Sequence, residues 1–217
     1  MKFRSILAAA CALLFAFPSI AQVAGAPPCV TGTLASYIAL GEGGCMFGSV
    51  LYRDFNYIAA STADGADQIL VTPAVLPFQN GFQGLNFSAL TATIWSAPAG
   101  ESKQSKILFN AVPFPPNAAA LPNSAVLTLD LGGADVSGII GSVDVKEVAN
   151  APIATNTAVL DVYDKCEDAC MLKQFDSVSI SPIRVLQSTI TISLDGGTNG
   201  VSLSRFATDY MVGPQPE

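Results

Sequence analysis

The sequence predicts an all-β protein, an antiparallel β-sandwich of jelly-roll or immunoglobulin-like build in a single domain. Three observations carry this. Short runs alternate apolar and polar residues along the whole chain, the period of half-buried strands. Clusters of Gly, Asn, Asp and Pro separate the runs. No segment has the 3.6-residue apolar period of an amphipathic helix, and no internal repeat or linker is visible.

The 217 residues are 50% hydrophobic and only 12% charged. The charged share is about half the usual ~25%, so the chain has ample apolar surface to fold around. Residues 1–21 read as a secretory signal: Lys2 and Arg4, an apolar centre, then Ser19-Ile20-Ala21 before Gln22. The apolar run is short and Pro18 interrupts it, so no transmembrane segment is expected after cleavage. Residues 22–217 form the sandwich domain, and the localisation is secreted. The net charge is −7 and becomes more negative when Lys2 and Arg4 leave with the leader. That balance argues against nucleic acid and against docking on an anionic membrane.

The elements follow in order. Thr33 to Leu40 is a first strand or a short helix, and Gly41 to Gly44 is a turn. Met46 to Ile58 alternates, with Phe47, Leu51, Phe55 and Tyr57 on one face and Val50, Tyr52, Asp54 and Asn56 on the other. Ser61 to Asp67 is a polar turn, and Gln68 to Thr72 is a strand stopped by Pro73. Phe82 to Trp95 holds one or two strands, with Trp95 in or near the core. Ala97 to Gln104 is a loop, and Lys106 to Val112 is a strand. In the second half, Ala125 to Leu131 is a strand and Gly132 to Asp135 turns the chain. Ile139 to Val148, Thr157 to Tyr163 and Asp176 to Ile180 are further strands. Ile190, Ile192 and Leu194 line a long strand that ends in a hairpin-like turn at Asp195 to Gly200. Val201 to Phe206 then returns beside it.

With Cys11 in the leader, Cys29, Cys45, Cys166 and Cys170 remain. An even count in an exported chain reads as disulfides, with three connectivities. Local pairing, Cys29–Cys45 and Cys166–Cys170, is favoured. The spacing suits a four-thiolate zinc site poorly.

The chain contains no histidine. This removes Ser-His-Asp and Cys-His catalysis and ordinary histidine-ligated metal sites. Carboxylate pairs could still hydrolyse glycosides; Glu42, Asp54, Glu101 and Glu147 are the candidates, and nothing in the sequence pairs them. No catalytic residue is assigned, and no cofactor is expected beyond calcium. Asp64 with Asp67, Asp130 with Asp135, and Asp195 with Asn199 set oxygens beside glycines, as calcium loops and ordinary turns both do. Tyr52, Tyr57 and Phe82 are the aromatics that would stack on sugars, although core packing explains them equally well. Asn86-Phe87-Ser88 matches the N-glycosylation triplet.

Leu40 to Cys45 reads Leu-Gly-Glu-Gly-Gly-Cys. It is followed by Leu51 to Tyr57, Val71-Thr72-Pro73, Gly84-Leu85-Asn86-Phe87 and the Ile190 to Phe206 pair. In this order the blocks resemble a group of uncharacterised exported bacterial proteins, many of which carry a Pro-Glu-Pro (PEP-CTERM) sorting tail. The resemblance implies export, a β-sandwich and a surface or matrix setting, with no activity attached. Such a tail continues past Pro-Glu-Pro into an apolar helix and a basic end. Here the sequence reads Pro214-Gln215-Pro216-Glu217.

The sequence thus points first to a secreted, non-enzymatic structural or matrix protein, with other surface proteins among its partners. The alternative is a module binding extracellular polysaccharide, with calcium assisting. A histidine-free glycosidase is the third reading.

Overall fold

The computed structural model describes residues 25–75, 82–113, 125–136, 140–150, 157–167, 169–180 and 185–212. The strands are β1 (Gly32–Thr33), β2 (Cys45–Phe47), β3 (Val50–Ile58), β4 (Ile69–Val75), β5 (Phe82–Ala89), β6 (Ser96–Ala97) and β7 (Ser102–Pro113). They continue with β8 (Ala125–Val136), β9 (Gly141–Asn150), β10 (Thr157–Cys166), β11 (Cys170–Lys173), β12 (Phe175–Ile180), β13 (Leu186–Asp195) and β14 (Val201–Val212). One α-helix, α1 (Leu34–Ala39), follows β1.

These strands form two antiparallel sheets packed as a sandwich. The front sheet runs β11-β10-β9-β13-β7-β3-β2. The back sheet runs β1-β4-β5-β14-β8-β12, with β6 on the end of β14. Alternation of apolar and polar residues makes each sheet one-sided: in β9 and β13 every second side chain is buried. The buried rows include Val143, Val145, Ile190, Ile192, Ile107 and Phe109 from the front, and Leu85, Phe87, Leu129 and Phe206 from the back. A chain of ring contacts crosses between the sheets. Tyr37 meets Phe55 at 5.2 Å, Phe55 meets Phe109 at 5.3 Å, and Phe109 meets Phe87 at 6.3 Å. Phe206 continues it at 5.1 Å from Phe87, and Trp95 ends it at 5.3 Å from Phe206. Trp95 is therefore a core residue, as expected.

The segment after β1 resolves as the short helix. Thr33 caps it by accepting the Ser36 N–H, and Leu34 and Tyr37 are its buried residues.

β4 is not stopped by Pro73 but pairs through it to Val75, and four further local expectations change. First, the faces of β3 switch part-way along. Asp54 has φ 57° and forms a bulge, across which the register with β7 shifts between Arg53 and Asn56. Val50 and Tyr52 point inward before the bulge, and Phe55 points inward after it. Second, Gly132 to Asp135 does not turn the chain. β8 runs straight through as a strand, with Gly133 at φ 73° opposite an irregularity at Ser204, whose hydroxyl donates to the Gly133 carbonyl. Third, part of the loop expected from Ala97 to Gln104 is strand, because β7 already begins at Ser102. Fourth, Val201 to Val212 does not return beside β13. β13 pairs with β7 and β9, whereas β14 pairs with β5, β6 and β8. The turn at 196–200 is an arch from one sheet to the other, so both strands direct their apolar rows into the same core.

Polar side chains also cross the core. Glu147 of β9 is fully buried, and Ser188 of β13 donates to its Oε1 at 2.6 Å. Thr208 of β14 donates to Oε2 at 2.6 Å, and Tyr210 donates to Oε1 at 3.1 Å. Burial pushes the Glu147 carboxyl above its ordinary range, while these three hydroxyls partly restrain it.

Both local disulfides are present: Cys29–Cys45 ties the entry of the chain to β2, and Cys166–Cys170 closes the β10–β11 hairpin. Residues 1–21 and the 214–217 terminus lie outside the described residues.

Two outcomes follow for chemical denaturation. A Cys29→Ser/Cys45→Ser variant should lose about 3 kcal/mol, since the bond closes a loop of 16 residues. Glu147→Ala should cost about 3 kcal/mol or more by stranding three buried hydroxyls, and Glu147→Gln, which keeps an acceptor, should cost less.

Candidate functional site: the outer face of the front sheet

The ladders of β9, β13 and β7 set their outward side chains in rows across the centre of the front sheet. The first row is Asn150, Gln187 and Asn110; the second is Val148, Thr189 and Leu108. The third is Lys146, Thr191 and Lys106; the fourth is Asp144, Ser193 and Gln104. Four rows at two residues per step extend about 20 Å along the strands, and three strands span about 10 Å. On β10, Thr157 extends the first row and donates to Asn150 Oδ1 at 3.0 Å. Arg53 of β3 closes its other end beside Asn110. Gln104 donates to Ser193 Oγ at 3.2 Å in the fourth row. Beyond that row lies a depression of about 280 Å³ lined by Ser102, Lys103, Gln104, Ser142, Ser193, Leu194 and Asp195.

Charge is distributed unevenly. Half of the chain's ten basic residues belong to the outward rows of this sheet: Arg53, Lys106, Lys146, Lys165 and Lys173. Three of them are neutralised locally. Lys165 pairs with Asp144 and its Nζ sits 4.5 Å from the Tyr163 ring centroid; Lys173 pairs with Asp176 at 2.8 Å, and Arg53 with Asp54 at 3.5 Å. Asp54 also accepts from Asn110 Nδ2 at 2.8 Å. Among the described residues Lys106 and Lys146 have no ion pair; they flank Thr191 in the middle of the face, and Asp161 of β10 lies opposite Lys146 in the ladder. Chemically, the face offers amides and hydroxyls that both donate and accept, with two lysines among them.

The expected aromatic platform is not here. Tyr52 is wholly buried, its ring centroid 6.1 Å from that of Phe109 and 6.0 Å from that of Tyr210. The bulge at Asp54 leaves Tyr57 packed against the core, where burial raises its hydroxyl pKa. The side chain of Phe82 lies outside the described residues. The expected calcium loops do not gather ligands either. Asp64 is buried and Asp67 exposed, with the Asp67 carboxylate folded over Gly65. Asp130 and Asp135 are five residues apart on one extended strand, so their backbones stand about 16 Å apart; the Asp135 side chain lies outside the described residues. Asp195 accepts the Gly197 N–H at 3.2 Å, a turn contact, and Asn199 belongs to the same arch. Among the described residues no three acidic or cysteine side chains form a metal-binding group. Of the carboxylate candidates, Glu42 and Glu101 are exposed in turns, Asp54 is held by Arg53 and Asn110, and Glu147 is sealed between the sheets.

The sequence reading missed Asn110, Gln187, Asn150, Lys106 and Lys146. They occupy the polar phase of strands that it did identify, and only the ladder register shows that they are neighbours. It also missed Asp209, because it ended the last strand at Phe206. Asp209 lies on the outward phase of β14, over Gly84 of β5. It has 0% exposure, and among the described residues neither carboxylate oxygen has a hydrogen-bond partner. Burial, with Asp130 and Glu147 nearby, pushes its carboxyl up to about 7. An Asp inside a long apolar strand is itself a signal, since strands are depleted in Asp.

No protein-family model matches the chain, and no curated protein matches it. Similar solved structures include TmCBM61, determined with beta-1,4-galactotriose, at 15% identity and a TM-score of 0.33, covering 74% of this chain and 88% of that one. A family 11 carbohydrate-binding module from Clostridium thermocellum, in complex with a mixed-linked tetrasaccharide, is similar at 6% identity and a TM-score of 0.26, covering 75% and 91%. Scores this low mark a loose likeness that says nothing about individual side chains here. Among the described residues, no helix is long and apolar enough to cross a membrane.

The raised Asp209 carboxyl sets a pH dependence. Its pKa goes from 3.8 when unfolded to about 7 when folded, so folding takes up a proton between these values. The contribution is full below about pH 4 and is lost as pH rises through about 7. In chelator, the wild type should lose up to roughly 4 kcal/mol over that window relative to Asp209→Asn, measured by urea denaturation at each pH.

Proposed function

We propose that this is an exported, non-enzymatic protein that binds an acidic extracellular polysaccharide across the outer face of its front sheet. The observation that carries the reading is the pair Lys106 and Lys146. Among the described residues they are the cations of its outward rows without ion pairs, and they stand between rows that carry amides and hydroxyls, with Asp161 at the end of their own row, on a chain of net negative charge. Amides and hydroxyls match the paired donors and acceptors of sugar rings, and the ammonium groups favour a carboxylate or sulfate on the chain. The acidic remainder of the molecule repels the same polyanion, which restricts binding to this face. The two disulfides accord with an oxidising, extracellular setting. The loosely similar solved modules are of carbohydrate-binding type, a likeness too slight to select a sugar.

The face is a shallow surface without a stacked aromatic row, so affinity should be modest and strongly salt-dependent. Affinity electrophoresis of the mature protein against uronate-bearing and neutral polysaccharides is the direct test. The acidic polymer should retard the wild type, and the Lys106→Ala/Lys146→Ala variant should bind roughly tenfold more weakly. Gln187→Ala should weaken binding to both kinds of polymer. Equal retardation of wild type and double variant by the acidic polymer would overturn the assignment of the face. Absence of retardation by any polymer would leave the non-enzymatic matrix role in its place.

A further inference from the structure

On the outer face of the back sheet, β5, β14 and β8 bring a different set of side chains together. Asp209 lies opposite Gly84 on one side and Thr128 on the other. Asn86 and Asp130 both lie opposite Ala207, one pairing step away on either flank. The three outward side chains therefore occupy adjacent positions across three strands. Asp209 is wholly buried although it is on an outward phase, and among the described residues both its oxygens lack a donor. Asn86 Oδ1 is likewise buried without a partner. Asp130 is near enough to raise the Asp209 carboxyl and is itself raised by burial, with Arg205 close enough to restrain that rise. Gly84 completes the cradle. A Cβ there would lie 2.0 Å from Asp209 Oδ1 and 2.2 Å from the Thr208 carbonyl oxygen, so the carboxylate rests where any other residue would have a side chain.

We infer that Asp209, Asn86 and Asp130 form a binding site for one hard divalent cation, calcium in the first instance. Every unsatisfied atom in the cluster is an oxygen acceptor, and the set of two carboxylates with an amide carbonyl is hard-cation chemistry. A buried carboxylate without a partner is among the costliest groups a fold can carry, and a cation removes that cost directly. A sugar does not fit the observation as well, because the carboxylate is closed off from solvent. The site is separate from the glycan-binding face and does not depend on that reading. It also differs from the Asp195–Asn199 turn, where the carboxylate already accepts a backbone N–H.

The test is calorimetric titration of the chelator-treated mature protein with CaCl₂, and with MgCl₂, at about pH 8, above the titration range of the Asp209 carboxyl, with thermal melts alongside. The wild type should bind about one calcium per chain and melt higher with calcium than in chelator. Asp209→Asn, close to isosteric, should fold with unchanged circular dichroism and lose both effects. Asp130→Asn should bind roughly tenfold or more weakly. Asp195→Asn and the Lys106→Ala/Lys146→Ala variant should bind calcium as the wild type does. Three results would each overturn the inference: no calcium uptake by the wild type, uptake unchanged in Asp209→Asn, or uptake lost in Asp195→Asn.

Discussion

The sandwich is organised around one buried carboxylate. Glu147 enters the core from the front sheet and is met by Ser188 from its neighbour strand and by Thr208 and Tyr210 from the back sheet. Apolar packing holds the sheets together but tolerates sliding, because one aliphatic contact resembles another. Hydrogen bonds of 2.6 Å from two sheets to one carboxyl do not tolerate it. If β14 slipped by one residue, Ala207 and Asp209 would turn inward and Thr208 and Tyr210 outward. The acceptor would then keep only Ser188 and a second carboxylate would enter the core. The register of β14, which the longest back-sheet ladders share, is tied to this contact.

That register gives β14 two polar faces in alternation. Thr208 and Tyr210 serve Glu147 inside, while Asp209 between them faces out over Gly84. The two carboxylates lie on opposite sides of one strand, and Glu147 contributes to raising Asp209. The glycine is required on packing grounds, because the Thr208 carbonyl and the Asp209 carboxylate together fill the space of a Cβ.

The outer faces of the two sheets differ accordingly. The front sheet presents amide, hydroxyl and lysine side chains in straight rows; of its outward acids, Asp54 and Asp144 are held in local pairs, while Asp161 lies opposite Lys146. On the back sheet Asp209 is wholly buried, and Asp130 beside it is partly buried with Arg205 nearby.

The sequence by itself determined the strand content and the absence of histidine chemistry, and it favoured the two local disulfides and a place in or near the core for Trp95. Each of these follows from local facts: a two-residue period, cysteine spacing, residue identity. Three things were decided only by the tertiary structure. The bulge at Asp54 reversed the faces of β3 and took Tyr52 into the core, and a left-handed φ at an Asp leaves no clear mark in an alternating pattern. The arch after Asp195 sent β14 to the other sheet, and an arch and a hairpin use the same Asp and Gly residues. The neighbourhoods of Lys106 with Lys146, and of Asp209 with Asn86 and Asp130, exist because ladders join strands distant in the chain. Residue spacing carries the period of a strand, but the partner and the register of that strand are set by which buried rows can close one core.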